Sequence, residues 1–325
     1  MTCFHKVRDG FWLALLVPPA AAISFLNHHP WAFVVSIGAM MPIIDEVIGP
    51  EQGASSQNGK QTGATRVTIP HWFLIGWLGA ILMALGVARH ASVVELIGLA
   101  FGCGILSAMA MAHIHEIMHR GSFVSRTLSE FAFVIVGYPH YRLAHRLHHA
   151  NVGNPRFGST AAIGQSVWHH VPRSFMASLK ATVEHDAAWT RVLRGYFAVS
   201  MLLAIAFRFG SWRSLLFCLG YGLISVFLVE AVGYLQHYGL DGGVAIDSGH
   251  AAWDVHFWLS NRLLSNNGLH AHHHHEQTQT YERLSAMGQA LPGGYLHMLW
   301  FALVPRLWFS TMDRRVRMRL ESVDK

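Results

Sequence analysis

Histidine stands out in this sequence as the residue type most able to do chemistry, because the neutral imidazole is the commonest protein ligand for metals. The chain of 325 residues contains 24 histidines, as many as its lysines and arginines together. Nine of these histidines fall into four clusters with spacings that suit metal binding: His115 and His119; His145, His148 and His149; His237; and His270, His273 and His274.

The spacing within the clusters predicts helices with several imidazoles on one face. Residues three and four apart lie one above the other on a helix, as in the pair His115 and His119. The clusters at 145–149 and 270–274 repeat this spacing, whereas His237 is isolated. Nine imidazoles are too many for one metal ion and suit two ions with four or five ligands each. Imidazole binds Fe, Zn, Cu and Ni, so the ligand type alone does not select the metal.

Each cluster also has a simpler interpretation. The segment from His115 to His119 reads HExxH, the pattern of a zinc metalloprotease with Glu116 as its base. The run of four histidines at 272–275 could scavenge metal, and a lone His237 could be a packed histidine. A protease would not need the other three clusters. Four neighbouring histidines remain ambiguous as ligands: His113, His140, His272 and His275.

The composition predicts an all-α, integral-membrane protein with the clusters on one side of the bilayer. Charged residues make up only 13% of the chain, apolar residues make up 52%, and the mean hydropathy is +0.30. Six segments are long and apolar enough to span a bilayer or nearly so. They are residues 11–26, 31–48, 72–88, 93–112, 192–209 and 215–235. The remaining parts, 113–191 and 236–325, are expected to form a cytoplasmic helical cap within one domain (1–325), with residues 131–138 buried or re-entrant.

The arginines and lysines predict the orientation. They concentrate at the N-terminus, after the fourth span and in the C-terminal tail, which predicts that both termini lie in the cytoplasm. We expect the membrane to be a bacterial inner membrane. This bias explains the net charge of +6 without nucleic-acid binding. A signal peptide is the competing interpretation of the N-terminus, but the apolar run continues and further spans follow.

Motifs outside the histidine clusters resemble the membrane alkane 1-monooxygenase branch of the fatty-acid desaturase and hydroxylase superfamily. Met41-Pro-Ile-Ile-Asp45 resembles its Pro-x-x-Asp segment, and Arg156-Phe-Gly with Val171-Pro-Arg-Ser-Phe175 resembles the stretch after its second histidine box. The most specific match is Gly233-Tyr-Leu-Gln-His-Tyr-Gly-Leu240, which is similar to the HYG signature of alkane and xylene monooxygenases.

The resemblance implies two iron ions held by the nine histidines, O2 as oxidant, and hydroxylation of an alkane or alkyl chain. It also implies electrons from a rubredoxin or ferredoxin and its reductase. The three cysteines (Cys3, Cys103 and Cys218) do not cluster, so the chain has no iron–sulfur centre of its own. The sequence also has no glycine-rich nucleotide motif after a strand, so the electrons must come from another protein.

Other functions remain open on the sequence alone. A lipid desaturase or an aryl-methyl (xylene-type) monooxygenase would share the irons, while a metal transporter would need histidines within the spans. Three details depart from the family pattern: the His145–His149 box has desaturase spacing, Gly268-Leu269 replaces Gln-Arg, and Gln236 replaces Glu.

Three further hypotheses concern residues around the clusters. Carboxylates near the ligands could accept hydrogen bonds from the ligand N–H groups; the candidates are Glu116, Asp241, Asp254 and Glu276. Small residues of the fourth span, 102–110, leave room for substrate or favour tight helix packing. The basic tail at residues 314–319, with Arg142 and Arg146, could attract an acidic electron carrier, or it could simply anchor the chain in the membrane by the positive-inside bias.

Overall fold

The computed structural model describes residues 10–51, 68–185, 188–240 and 252–323. These residues form helices and three isolated β-bridges but no strand, which confirms the all-α prediction for the described part of the chain. The polar segment 49–63 lies almost wholly outside these ranges, as does Asp241. We number the helices in chain order: α1 Gly10–Leu26, α2 Pro30–Ile48, α3 Ile69–Ala88, α4 Val93–Met118, α5 Phe123–Val136, α6 Tyr141–Ala150, α7 Val167–Glu184, α8 Trp189–Gly210, α9 Trp212–His237, α10 Trp258–Leu263, α11 His270–His275, α12 Tyr295–Leu303 and α13 Pro305–Val323.

Five helices within the described ranges are long and apolar enough to cross a membrane, namely α2, α3, α4, α8 and α9. They coincide with five of the six predicted spans. The first predicted span forms α1, an apolar helix of 17 residues that begins with a 3-10 segment and is shorter than the others. The chain is therefore a membrane protein with five candidate spanning helices, and a sixth span remains a prediction.

Two spanning helices extend further than the sequence predicts, and both extensions carry cluster histidines. Helix α4 continues six residues beyond 112 and ends at Met118, so that His115 lies in its last turn. Helix α9 continues to His237. The apolar pattern ends before these polar turns, but the hydrogen-bonded helix does not, because burial against the rest of the fold stabilises it.

Helix α4 forms the centre of the bundle and packs against α3 and α9. Its glycines allow these close approaches. A Cβ atom at Gly104 would lie 2.6 Å from Ile224 Cβ, and one at Gly102 would lie 2.8 Å from the ring of Phe25. At these two positions the small residues serve tight helix packing, the second of the two alternatives raised by the sequence.

Residues 131–136 of the eight-residue segment 131–138 are the end of a longer helix. Helix α5 begins at Phe123, with Ser122 as its N-cap, and ends at Val136, followed by Gly137 as a C-cap residue in the left-handed conformation. Phe133 and Val136 face the core, while Phe131 is exposed. The segment is thus half-buried and amphipathic.

The motifs outside the histidine clusters join elements distant in sequence. Asp45, near the end of α2, is buried and accepts hydrogen bonds from the backbone and the hydroxyl of Ser260 in α10. Arg173 of α7 donates hydrogen bonds to the carbonyls of Pro155 and Thr160. These contacts hold the loop after α6 and the segment before α11 against the bundle.

The contrast between two helical glycines gives a prediction about packing. Gly104→Ala should destabilise the protein, because the new methyl forces α4 and α9 apart. Overpacking of this kind typically costs about 1–3 kcal/mol. Gly79→Ala in α3 meets open space and should be neutral or stabilise the protein by up to about 1 kcal/mol through helix propensity. Thermal unfolding of both variants in the same detergent measures the difference; equal midpoints would contradict this packing.

Candidate metal centre

The structure brings the nine predicted histidines together in two groups, although they come from four separate parts of the chain. In each group, one ring nitrogen of every histidine lies within 4.8 Å of those of all the others. The first group has five members and the second has four: His115, His119, His145, His149 and His273; and His148, His237, His270 and His274.

Four elements position these side chains. The end of α4 supplies His115, followed by His119 as its C-cap residue, and the last residue of α9 is His237. The short helices α6 and α11 supply three histidines each, with the i, i+3, i+4 spacing predicted from the sequence. Both short helices lie against the ends of the spanning helices, so the groups form at one end of the bundle.

The two groups are adjacent because neighbouring residues divide between them. His148 and His149 belong to different groups, as do His273 and His274. The rings of His149 and His274 lie 4.4 Å apart, centroid to centroid, across the boundary. The arrangement therefore offers two neighbouring sites rather than one enlarged site.

Hydrogen bonding between the rings cannot satisfy the first group. His145 Nε2 lies 2.9 Å from His115 Nε2 and 2.7 Å from His149 Nε2. A neutral imidazole nitrogen carries either one proton or one lone pair, so His145 Nε2 cannot pair fully with both. His119 Nε2 is buried and has no hydrogen-bond partner among the described residues. Converging lone pairs of this kind fit a bound metal ion.

The second group has the same character. His148 Nε2 lies 3.2 Å from His237 Nε2, and His270 Nε2 lies 3.1 Å from His274 Nε2. The opposite nitrogens, Nδ1 of His148, His270 and His274, are buried without a partner in the described part of the chain. Both groups therefore direct Nε2 atoms inward, in the way that metal-binding imidazoles do.

Burial keeps the imidazoles of the two groups neutral, the form in which a histidine can bind a metal ion. Burial lowers the pKa of His148 to about 4, and burial with the charge of Arg142 lowers the pKa of His119 to about 4. Burial first, and the neighbouring imidazoles second, also hold the pKa values of other members well below their usual range: His145, His149, His270, His273 and His274. Because metals bind the deprotonated ring, the site stays competent down to mildly acidic pH.

One candidate carboxylate acts on the backbone rather than on a ring. Asp254 is fully buried and accepts hydrogen bonds from the N–H groups of Ala271, Met287 and Gly288, at 2.8, 3.0 and 2.8 Å. Ala271 is the second residue of α11, so this carboxylate fixes the start of the helix that carries three of the nine histidines. Negative charge at a helix N-terminus also stabilises the helix.

For four of the nine rings, none of the described carboxylates accepts the ligand N–H group in the way that the sequence had suggested. Nδ1 of His148, His149, His270 and His274 is buried without a partner among the described residues. The other two described candidates are engaged elsewhere, because Glu116 pairs with Arg120 and the exposed Glu276 accepts a hydrogen bond from the Gln279 side chain. The fourth candidate, Asp241, lies outside the described residues.

The four ambiguous neighbours lie outside both groups. His113 contacts the carbonyl of Leu263 and the hydroxyl of Ser265, and His140 lies between Tyr196 and Ser178. His272 accepts a hydrogen bond from the backbone N–H of Ser285, and His275 is exposed. These histidines tie elements together or face outward.

The sequence interpretation missed Tyr141, whose ring stacks on His145 with centroids 5.5 Å apart and planes 15° apart. Tyr141 lies four residues before His145 on α6, so the i, i+4 spacing was the available signal. Its ring fixes the orientation of one imidazole of the first group.

A large apolar cavity of about 1160 Å³ lies between α2, α4, α5, α7, α8, α9 and α12. No described residue of its lining is charged. Its lining includes Leu264 and Tyr295, and the hydroxyl of Tyr295 lies 2.6 Å from the side-chain nitrogen of Gln236, the residue before His237. Ala108 of α4 also lines this cavity.

The role of Asp254 gives a prediction about metal retention. Asp254→Ala leaves three buried N–H groups without an acceptor, at roughly 1–3 kcal/mol each, and should loosen α11. We expect about 10-fold or greater loss of metal affinity, measured as metal retained during titration with a chelator. Glu276→Ala is the control and should retain metal like the wild type. Equal metal retention by both variants would show that the hydrogen bonds accepted by Asp254 do not affect metal binding.

Comparison with known proteins agrees with this geometry. The fatty acid desaturase family matches residues 91–302, which include all nine histidines. Alkane 1-monooxygenase 2 of Pseudomonas aeruginosa is 25% identical over 95% of this chain and 92% of its own length. Alkane 1-monooxygenase of Acinetobacter baylyi is 25% identical over 85% of this chain and 74% of its own. The hydroxylase component of xylene/toluene monooxygenase of Pseudomonas putida is 23% identical over 92% and 87%. The chain therefore belongs to the fatty acid desaturase family, in its alkane monooxygenase branch, and is an oxidoreductase of that type.

Proposed function

We propose that the chain binds two iron ions, one in each histidine group, and uses them to hydroxylate an alkane or alkyl chain with O2. The observation that carries this proposal is the adjacency of a five-imidazole group and a four-imidazole group. Their members are the proposed ligands: His115, His119, His145, His149 and His273 for one ion, and His148, His237, His270 and His274 for the other.

The overall reaction converts alkane, O2, two electrons and two protons into alcohol and water. Iron bound in these groups would supply the activation of O2 and the oxidation of the C–H bond. The surrounding protein holds the imidazoles neutral, fixes α11 through Asp254 and orients His145 through Tyr141.

The apolar cavity supports a hydrocarbon as the substrate. A cavity without charged lining residues binds an alkyl chain through burial of apolar surface and offers no partner for an ionic head group. Its position among the spanning helices lets a lipid-dissolved substrate reach the end near Gln236 and His237 without passing through water. The same lining excludes water from the reacting carbon.

The proposed setting is a bacterial inner membrane, with six spans, both termini in the cytoplasm and one domain over residues 1–325. Both histidine-bearing extensions lie at the ends of α4 and α9 that the charge distribution assigns to the cytoplasm. A rubredoxin or ferredoxin with its reductase would deliver electrons from that side.

Two other oxidations remain candidates for the same centre. The similarity to the xylene/toluene enzyme keeps an aryl-methyl substrate open, and the family match keeps lipid desaturation open. Incubating membranes with octane, xylene or a fatty acid under 18O2 separates these three by mass spectrometry. Octanol carrying one 18O atom supports the proposal, whereas an alkene or a methyl-benzyl alcohol as the main product contradicts it.

The proposed ligands predict a contrast within one histidine run. His273→Ala and His274→Ala each remove a buried or half-buried imidazole from a different group, so each should lower iron from about two ions per chain and abolish octane hydroxylation. His275→Ala removes the exposed neighbour and should keep both iron and activity. Iron and zinc content by mass spectrometry of the purified variants measures the effect.

The same measurement tests the alternative of metal transport or storage. Wild-type protein that holds zinc alone, with no O2-dependent product, would contradict an oxygenase and favour that alternative. Equal iron in His273→Ala, His274→Ala and His275→Ala would show that the two groups are not the iron site.

The cavity predicts a change in chain-length preference. Ala108 lies seven residues before His115, about 10 Å along the axis of α4. Ala108→Phe fills part of the cavity at that depth and should reduce kcat/KM for hexadecane about 10-fold more than for octane. Leu216→Phe on the lipid-facing side of α9 is the control and should leave the ratio of kcat/KM for hexadecane to that for octane unchanged. An unchanged ratio in Ala108→Phe would show that the substrate does not bind in this cavity.

A further inference from the structure

The C-terminal helix α13 has two sharply different faces. Trp308, Met312 and Val316, at i, i+4 and i+8, are fully buried. Arg306, Ser310, Arg314 and Arg317 follow the opposite, exposed face. One face of α13 is therefore part of the core, and the other is a basic surface.

The exposed face contains a surface pocket that is mostly basic and apolar; its lining residues are Phe309, Ser310, Asp313, Arg314, Arg317 and Met318. Asp313 is engaged, because its Oδ1 accepts a hydrogen bond of 2.6 Å from the hydroxyl of Tyr238. Two exposed arginines against one aspartate leave this pocket with a net positive charge. Such a surface attracts an acidic partner and steers its approach.

A short aromatic connection joins this pocket to the histidine centre. The ring of Phe309 stacks on Tyr238 with centroids 6.5 Å apart and planes 22° apart. Trp308 lies edge-on to the same Tyr238 ring at 5.3 Å. Tyr238 is covalently adjacent to His237, whose ring lies 5.1 Å from that of His274. One residue thus separates the surface pocket from a member of the second histidine group.

We propose that the face of α13 around Phe309, Arg314 and Arg317 is the docking surface for an acidic one-electron carrier protein, which reduces the centre through Tyr238. The inference rests on the proposed function, because each hydroxylation consumes two electrons that an outside donor must replace. Two carrier molecules, each giving one electron, would supply one turnover, and the two protons come from solvent.

An anionic lipid surface is the other partner that a basic, partly apolar helix face fits. The aromatic connection favours the carrier, because lipid binding has no use for stacked rings that lead from the pocket to His237. The exposed Arg146 follows His145 in the sequence and is tested separately. The aromatic connection therefore favours a carrier protein over lipid as the partner of α13.

The test reverses the charge of the pocket and measures binding. The Kd for an acidic rubredoxin is measured by interferometry on the full chain in phosphatidylcholine nanodiscs. At low salt, this Kd should be about 10-fold or more higher in Arg314→Glu/Arg317→Glu than in the wild type. The difference between the two Kd values should shrink at high salt. Arg191→Glu/Arg194→Glu is a matched control on α8, with the same spacing, charge change and exposure. It should bind within about twofold of the wild type.

Activity assays separate this inference from the proposed function. Octane oxidation driven by the carrier should show a raised KM for the carrier in the double reversal, while oxidation driven by dithionite should match the wild type. If the wild type driven by dithionite forms no octanol, the proposed function is refuted, whatever the binding data show. If the reversed protein does not elute as a folded species, Arg314→Gln/Arg317→Gln replaces it.

Three results would overturn the docking surface. One is an unchanged Kd in the double reversal, and another is a Kd that rises with Arg146→Glu instead. The third is a reversed protein that binds the carrier normally but loses stability only in phosphatidylglycerol nanodiscs, which would identify the face as a lipid contact.

Discussion

The desolvation of nine imidazoles at one end of a helical bundle is the constraint on which the rest of this structure depends. Rings whose nitrogens approach to 2.7–3.2 Å cannot all donate and accept among themselves, and burial keeps them from taking up protons. Without an ion, this arrangement leaves polar atoms buried and unsatisfied. The proposed metal ions would therefore stabilise that end of the protein, since a ligand that binds only the folded state stabilises it.

The sequence predicted much of this centre because helix periodicity constrains side-chain direction strongly. Spacings of three and four residues identified the histidines of α6 and α11, and the apolar runs identified the spanning helices. The isolated His237 was the weakest prediction, because a single histidine has no spacing to indicate a ligand. It gained support from the three other clusters and from the resemblance of its surroundings to the HYG signature.

Tertiary contacts account for what the sequence could not predict. The division of His148 from His149, and of His273 from His274, depends on how α6 and α11 pack against α4 and α9. The backbone role of Asp254 depends on a loop more than thirty residues away in sequence, at Met287 and Gly288. No local pattern encodes such contacts. The extension of α4 to Met118 was missed for a related reason, because its last turns are polar but buried.

The distribution of the histidines along the chain also has a consequence for biogenesis. The rings of His115 and His273 lie 4.4 Å apart, yet the spanning helices α8 and α9 are synthesised between them. Helix α11 is synthesised after α9, so neither histidine group can be complete until these spanning helices have been made. Loading of the proposed metal ions would then be a late step, on a chain whose spanning helices precede the last ligands.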